Sequence, residues 1–408
     1  MREGTCWTPQ RLAWVSLLMA WGEGLTLAAR FEQAADTACD LHRHWKLGRS
    51  YSGFTQALTG KSSEMITRVK ERFRSQMASF ARFRDRDGFC VMAVDGSRFE
   101  CPHTAANEEG LGCAGREKSG PQVFVTTLWH APLALPWDFR VGAGTDSERR
   151  HLDEMLDGLP PKTLLLADAG FVSYDLCRSL LQRGHSFLLR IGGNVRLMSD
   201  LGYACQQRDD IVYLWPTKRR DSPPLELRLI RLKDQRGETV FLLTNLLDRK
   251  RLSDKRASHL YRRRWGIEVF YRSSKQTLDR RKLLSRTPET CLAEAHWILL
   301  GVWVLGLMAV SRQLERGLDP SHWSAAKARD AVRRVTRNPG LTRRNGPSLP
   351  TALAMAVQDQ YRRRRPKRAR NYPHKKREAR PGPPKIKPAT SQERQLAKQF
   401  RSKQTALT

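Results

Sequence analysis

Two stretches of this chain, GFCVMAVDGS (88–97) and KTLLLADAGF (162–171), are apolar at consecutive positions. A strand with one wet face alternates apolar and polar residues, so a run apolar on both faces belongs in a sheet covered on both sides. Each run ends in an acid, Asp95 or Asp168, followed by small residues that let a metal or phosphate approach the backbone closely. Strand ends of this kind are where α/β proteins build their sites, although an aspartate before glycine is also an ordinary way to leave a strand. Further strands are expected at 122–131, 133–142 and 186–191. Helices are expected to open near Ser147 and to run over 173–183. Strands followed by alternating helix and strand predict an α/β fold.

The flanking segments have other textures. Residues 1–85 carry helical patterning with Gly/Ser breaks and predict a helical N-terminal module, which could bind DNA. Its first apolar stretch resembles a signal peptide, but Gly22 and Glu23 interrupt it, and Thr8 followed by Pro9 is a helix start. Residues 196–258 break the βα rhythm. LELRLIRL (225–232) alternates like a half-buried strand and ETVFLLTNL follows after a turn, so a β-rich insertion is expected. Helical patterning returns at 259–335. Its apolar run at 297–310 is shorter than the roughly 18 residues of a membrane span and predicts a buried core helix. The eight cysteines form no C-x-x-C pair, which suits reduced thiols in a cytoplasmic protein without structural zinc.

Charge narrows the partner. The chain has 73 Lys and Arg against 41 Asp and Glu, a formal net charge of +32, and such an excess seeks a polyanion, nucleic acid before membrane. The basic excess continues into residues 336–408, where few apolar residues and several prolines predict a disordered tail adding nonspecific DNA affinity. It also argues against a glycoside hydrolase working with paired acids.

The stretch YRRRWGIEVFYRSSK (261–275) sets one acid, Glu268, among Arg262, Arg263, Arg264, Arg272 and Lys275. On a helix turning about 100° per residue, Tyr261, Arg264, Glu268 and Lys275 fall within about 60° of one another. Spacing alone also allows Glu268 to be an ion-pair partner or a solvated charge. The pattern Tyr, two residues, Arg, three residues, Glu, six residues, Lys resembles the signature of the DDE transposases of the insertion-sequence-four family. Asp95 in DGS and Asp168 in DAGF look like that family's first two acids, and the longer second gap holds the β-rich insertion such enzymes carry. The resemblance covers about 86–310. Ala169 departs from it, standing where many relatives have Arg.

The resemblance implies a ribonuclease-H-like catalytic core in two parts, 86–195 and 259–335, on either side of the insertion. It implies that Asp95, Asp168 and Glu268 are catalytic and bind two Mg²⁺ ions, with Mn²⁺ as a substitute, Asp95 being shared by both. Arg264, Lys275 and Arg272 would hold DNA phosphates, and Tyr261 a phosphate or sugar. Lys118, in the Gly-rich stretch 110–120, is a further DNA contact. In the insertion, Trp215 and Phe241 are candidates to receive a flipped base, whereas Trp265 is expected to be a core anchor. His130 and His185 are expected to be structural or exposed. The partners implied are double-stranded DNA, namely terminal inverted repeats and target DNA, bound by a dimer near the bacterial nucleoid. A catalytically inactive DNA-binding relative is the alternative.

Overall fold

The computed structural model describes residues 6–114, 120–203, 208–233, 237–337, 346–358 and 382–405. Helices α1 (Pro9–Trp21), α2 (Leu27–Leu41), α3 (Tyr51–Thr59) and α4 (Ser62–Ala78) come first. Strand β1 (Cys90–Glu100), helix α5 (Ala105–Leu111), strands β2 (Gln122–His130) and β3 (Leu135–Ala143), and helix α6 (Glu148–Asp153) follow. Next are β4 (Thr163–Ala167), α7 (Tyr174–Gln182), β5 (Ser186–Ile191), β6 (Arg196–Ser199), β7 (Ile211–Leu214), β8 (Leu225–Lys233) and β9 (Thr239–Thr244). The remainder is α8 (Asp254–Arg263), α9 (Gly266–Arg272), α10 (Pro288–Glu315), α11 (Ala325–Arg337), α12 (Leu349–Ala354), β10 (Lys385–Pro388) and α13 (Ser391–Thr405). The fold is mixed α/β, as the two apolar runs require.

The chain divides into two compact units, the first made of the described residues in Met1–Asp85, Ala93–Gly158 and Trp265–Gln358. Here the strand order is β1-β2-β3, with β2 and β3 antiparallel and a bulge at Leu128/Trp129. The core is organised around α10. It is the one helix among the described residues long and apolar enough to cross a membrane, yet 72% of its apolar window is buried within the protein. Trp297, Leu300, Trp303 and Leu307 are among its buried side chains, each contributing about 1.5–3 kcal/mol of apolar burial. Gly301 lets α1 come close: a Cβ there would lie 3.0 Å from Ala20, and the Trp21 indole N–H donates to the Gly301 carbonyl at 3.1 Å. The start of α1 follows its sequence, with Pro9 in the first turn and Thr8 Oγ1 accepting the Arg11 amide. Its other end is satisfied by the buried guanidinium of Arg280, which donates to the carbonyls of Met19, Ala20 and Gly22. Buried Lys70 on α4 donates to Asp138 Oδ1 at 2.9 Å and to the Phe139 carbonyl at 2.5 Å, anchoring that helix to β3.

The second unit comprises the described residues in Arg86–Met92, Leu159–Arg264 and Asp359–Thr408. Its strands run in the order β10-β6-β7-β8-β9-β5-β4, and the Cys90 amide at the head of β1 donates to the Lys162 carbonyl. Pairs β4·β5 and β10·β6 are parallel, while β5·β9, β6·β7, β7·β8 and β8·β9 are antiparallel. The expected disorder of 336–408 is corrected in two places: at α12, which lies within that range with Leu353 and Ala354 buried, and in the last part. There β10 pairs with β6 over Lys385–Pro388, Ala397 of α13 is buried, and Phe400 meets Trp215 edge-on at 6.2 Å. Composition hid this because four residues of backbone pairing and two small apolar contacts suffice to hold a polar segment. The run 362–365 lies outside the described residues.

Candidate active site

In the first unit, β1 is buried from Cys90 through Val94 and emerges at Asp95, where burial turns intermediate. Asp95 Oδ1 accepts the Gly96 amide at 2.9 Å, which fixes the carboxylate's orientation. Gly96 is required by its surroundings, since a Cβ there would collide with Glu148 Oε1 and with the Phe124 ring. Glu148, at the start of α6, is thus an acid beside this point. Reading the sequence missed it because no spacing in the chain links residues 96 and 148.

Helix α9 places Glu268 in its first turn, half-buried, while Ile267, Phe270 and Tyr271 face inward. Five residues of π-helix, Ser273–Thr277, continue it, and such turns recur at functional sites. Within them Lys275 Nζ donates to Ser97 Oγ at 2.7 Å, and burial holds its pKa below the ordinary lysine value. Lys275 therefore lies beside the strand carrying Asp95. Arg272 is exposed on the outer face of α9.

The second unit holds Asp168, Arg264 and Tyr261. Asp168 caps a short 3₁₀ turn, its Oδ1 accepting the Ala169 amide at 2.7 Å, and its side chain is 43% exposed. Arg264 Nη2 stands 3.8 Å from Asp168 Oδ2, and the guanidinium lies 5.7 Å from the centre of the Tyr261 ring. The Tyr261 hydroxyl is buried with no hydrogen-bond partner among the described residues. Burial pushes its pKa up to about 12, against the opposing charge of Arg264, so it remains a hydrogen-bond donor.

Several expectations are corrected. The stretch 261–275 is not one helix: α8 ends at Arg263, a turn spans Arg264 and Trp265, and α9 starts at Gly266. At Gly266 the backbone passes so close to Trp129 that a Cβ would sit 2.8 Å from its indole nitrogen. Trp265, expected in the core, is 60% exposed because it lies at this break. Trp215, a candidate base platform, is buried, its indole N–H donating to the Ser222 carbonyl at 2.7 Å while Arg220 stacks on it at 4.2 Å. Phe241 is half-buried on β9. His130 is buried with Nε2 paired to the Phe83 carbonyl, and His185 is also buried. Lys118 lies outside the described residues.

Asp95, Asp168 and Glu268 are hard oxygen donors of the kind Mg²⁺ takes, and both aspartates are held in fixed orientation by the next residue's amide. Among the described residues, no group of three or more His, Cys, Asp or Glu could hold a metal ion.

Comparison with known proteins gives the context. The family model for the transposase DDE domain matches residues 86–305. The transposase InsG for insertion sequence element IS4 of Escherichia coli (strain K12) is 28% identical over 228 residues, covering 52% of this chain and 50% of that protein. The chain thus spans about half the length of this curated relative. Among solved structures, a piggyBac transposase synaptic complex with hairpin DNA aligns with a TM-score of 0.43 and 11% identity, over 88% of this chain and 80% of that one.

Proposed function

The chain belongs to the transposase DDE domain family, and from that premise we propose that it is a DNA transposase that cuts and joins DNA at the ends of an insertion sequence. One observation carries the reading. The matched region contains Asp95 where β1 emerges from its buried half, Asp168 directly after buried β4, and the spaced Tyr261, Arg264, Glu268 and Lys275. On this reading the catalytic core is ribonuclease-H-like, formed by 86–195 and 259–335 with 196–258 as the insertion. The N-terminal helices, expected to form a module of their own, instead pack on α10 and β3 within the first unit.

Asp95, Asp168 and Glu268 would supply the carboxylates for two Mg²⁺ ions, with Asp95 serving both. When bound, these ions neutralise phosphate charge, activate an oxygen nucleophile and stabilise the leaving oxygen. Arg264, Arg272 and Lys275 bind backbone phosphates, and the Tyr261 hydroxyl donates to a phosphate oxygen, gaining a partner that no described residue provides. Water attacks phosphorus at the element end, the P–O3′ bond breaks, and a 3′-hydroxyl is released. That hydroxyl then attacks a target phosphodiester, with displacement of a target 3′-oxygen. No side-chain nucleophile is required. Trp265, exposed three residues before Glu268, would touch the DNA on this reading. The partners on this reading are terminal inverted repeats and target DNA, held by a dimer in the bacterial cytoplasm.

The test is cleavage of labelled duplex carrying the sequences that flank this gene, with Mg²⁺ or with EDTA, comparing wild type with Glu268→Ala. Metal-dependent cuts at the element boundary that disappear in the variant are expected. Binding without cutting by the folded wild type would instead identify an inactive DNA-binding relative.

A further inference from the structure

Glu268, Tyr271 and Lys275 stand at i, i+3 and i+7 along α9 and the π-helical turn that follows it, close to one face. Two of the three are bonded to β1 or its neighbour. The Tyr271 hydroxyl lies 2.9 Å from the Asp95 carbonyl oxygen, 2.9 Å from Thr127 Oγ1 on β2 and 3.4 Å from the Val125 carbonyl. A phenol has one proton and can also accept one, so donation to the Asp95 carbonyl and acceptance from Thr127 satisfy it fully. Further along, Lys275 holds Ser97. The contacts fall on Asp95 itself and on the residue two beyond it.

These bonds fix more than a generic core contact would. Tyr271 is buried, and its hydroxyl reaches two groups on separate strands. Its ring already packs beside Phe270. The hydroxyl is therefore not needed to fill space, and its contribution is directional.

We propose that Tyr271 is a positioning residue: its hydroxyl sets the register of the helix carrying Glu268 against the strand carrying Asp95. The inference rests on the metal-dependent reading of those two acids. If they act together, a misplacement of about 1 Å can cost on the order of 100-fold in rate, so one well-aimed bond to the strand matters more to chemistry than to stability.

The test is Tyr271→Phe in the full chain, alone and in a Glu268→Gln background. Mn²⁺ affinity is measured by electron paramagnetic resonance without DNA, alongside thermal unfolding, DNA affinity and end cleavage. Alone, the substitution is expected to weaken Mn²⁺ binding by about tenfold and to slow cleavage at saturating DNA. DNA affinity should stay at the wild-type value, and the melting temperature should stay within a few degrees of it. In the Glu268→Gln background it should remove no further Mn²⁺ affinity, since the group it positions is already gone. Equal losses in both backgrounds, or lower stability with Mn²⁺ affinity intact, would overturn the positioning role. Wild-type Mn²⁺ binding and cleavage by Glu268→Gln alone would overturn the reading of the acids, and the role of Tyr271 with it.

Discussion

At the scale of single residues, buried polar groups separate structure from function. Among the described residues the Tyr261 hydroxyl is buried without a hydrogen-bond partner, a situation that costs about 1–3 kcal/mol. Tyr261→Phe should therefore unfold at the same or slightly higher temperature than wild type while cutting DNA more slowly. A loss of stability in the melting curve would show that the hydroxyl has a protein partner after all. Asp138 is the opposite case. Burial alone would raise its pKa, but Lys70, Arg140 and Arg74 together hold it below the ordinary carboxylate range. The stability this contributes is present above the ordinary carboxylate pKa and is lost as pH falls through the lowered value. Asp138→Asn leaves Lys70 buried without its counter-charge and should cost about 3–5 kcal/mol near neutrality. Urea unfolding across pH should find the gap between variant and wild type narrowing in acid.

At the scale of elements, the strands were legible and some of the helices were not. Continuous apolar runs announce β1 and β4 because nothing but a covered sheet accommodates them, and Pro9 after Thr8 announces α1 by its own cap chemistry. The acids Asp95 and Asp168 were readable for the same reason, since each ends such a run. The break between α8 and α9 was not readable, because it depends on Trp129 crossing Gly266 from another part of the chain. Nor was α13, whose docking rests on Phe400, Ala397 and the Arg220–Glu393 ion pair at 2.5 Å. Three small contacts leave no periodic signature in a basic segment. Removing residues 382–408 would expose the edge of β6 and the Trp215 ring. Hydrogen exchange should then quicken at β6, and tryptophan emission should shift to the red. Unchanged exchange at β6 would mean that the β10 pairing contributes no protection.

At the scale of the whole molecule, charge and chemistry are separable. A net charge of +32 spread over the chain supplies affinity for any duplex, whereas three carboxylates are proposed to do the cutting. A protein that neutralises six to ten phosphates loses roughly 10³–10⁵ in DNA affinity between 50 and 200 mM salt, with a slope near −0.9 per phosphate. This chain is expected to fall in that range. Glu268→Ala should keep the wild-type slope, because a carboxylate neutralises no phosphate, even as it abolishes cutting. Arg272→Ala, which removes an exposed cation beside Glu268, should flatten the slope by about one phosphate's share. Filter binding across a salt series reads both variants against wild type. A slope altered by Glu268→Ala and untouched by Arg272→Ala would reverse the assignment of acids to chemistry and bases to grip. The outcome expected keeps the two apart: the acid serves the chemistry and the bases around it the grip.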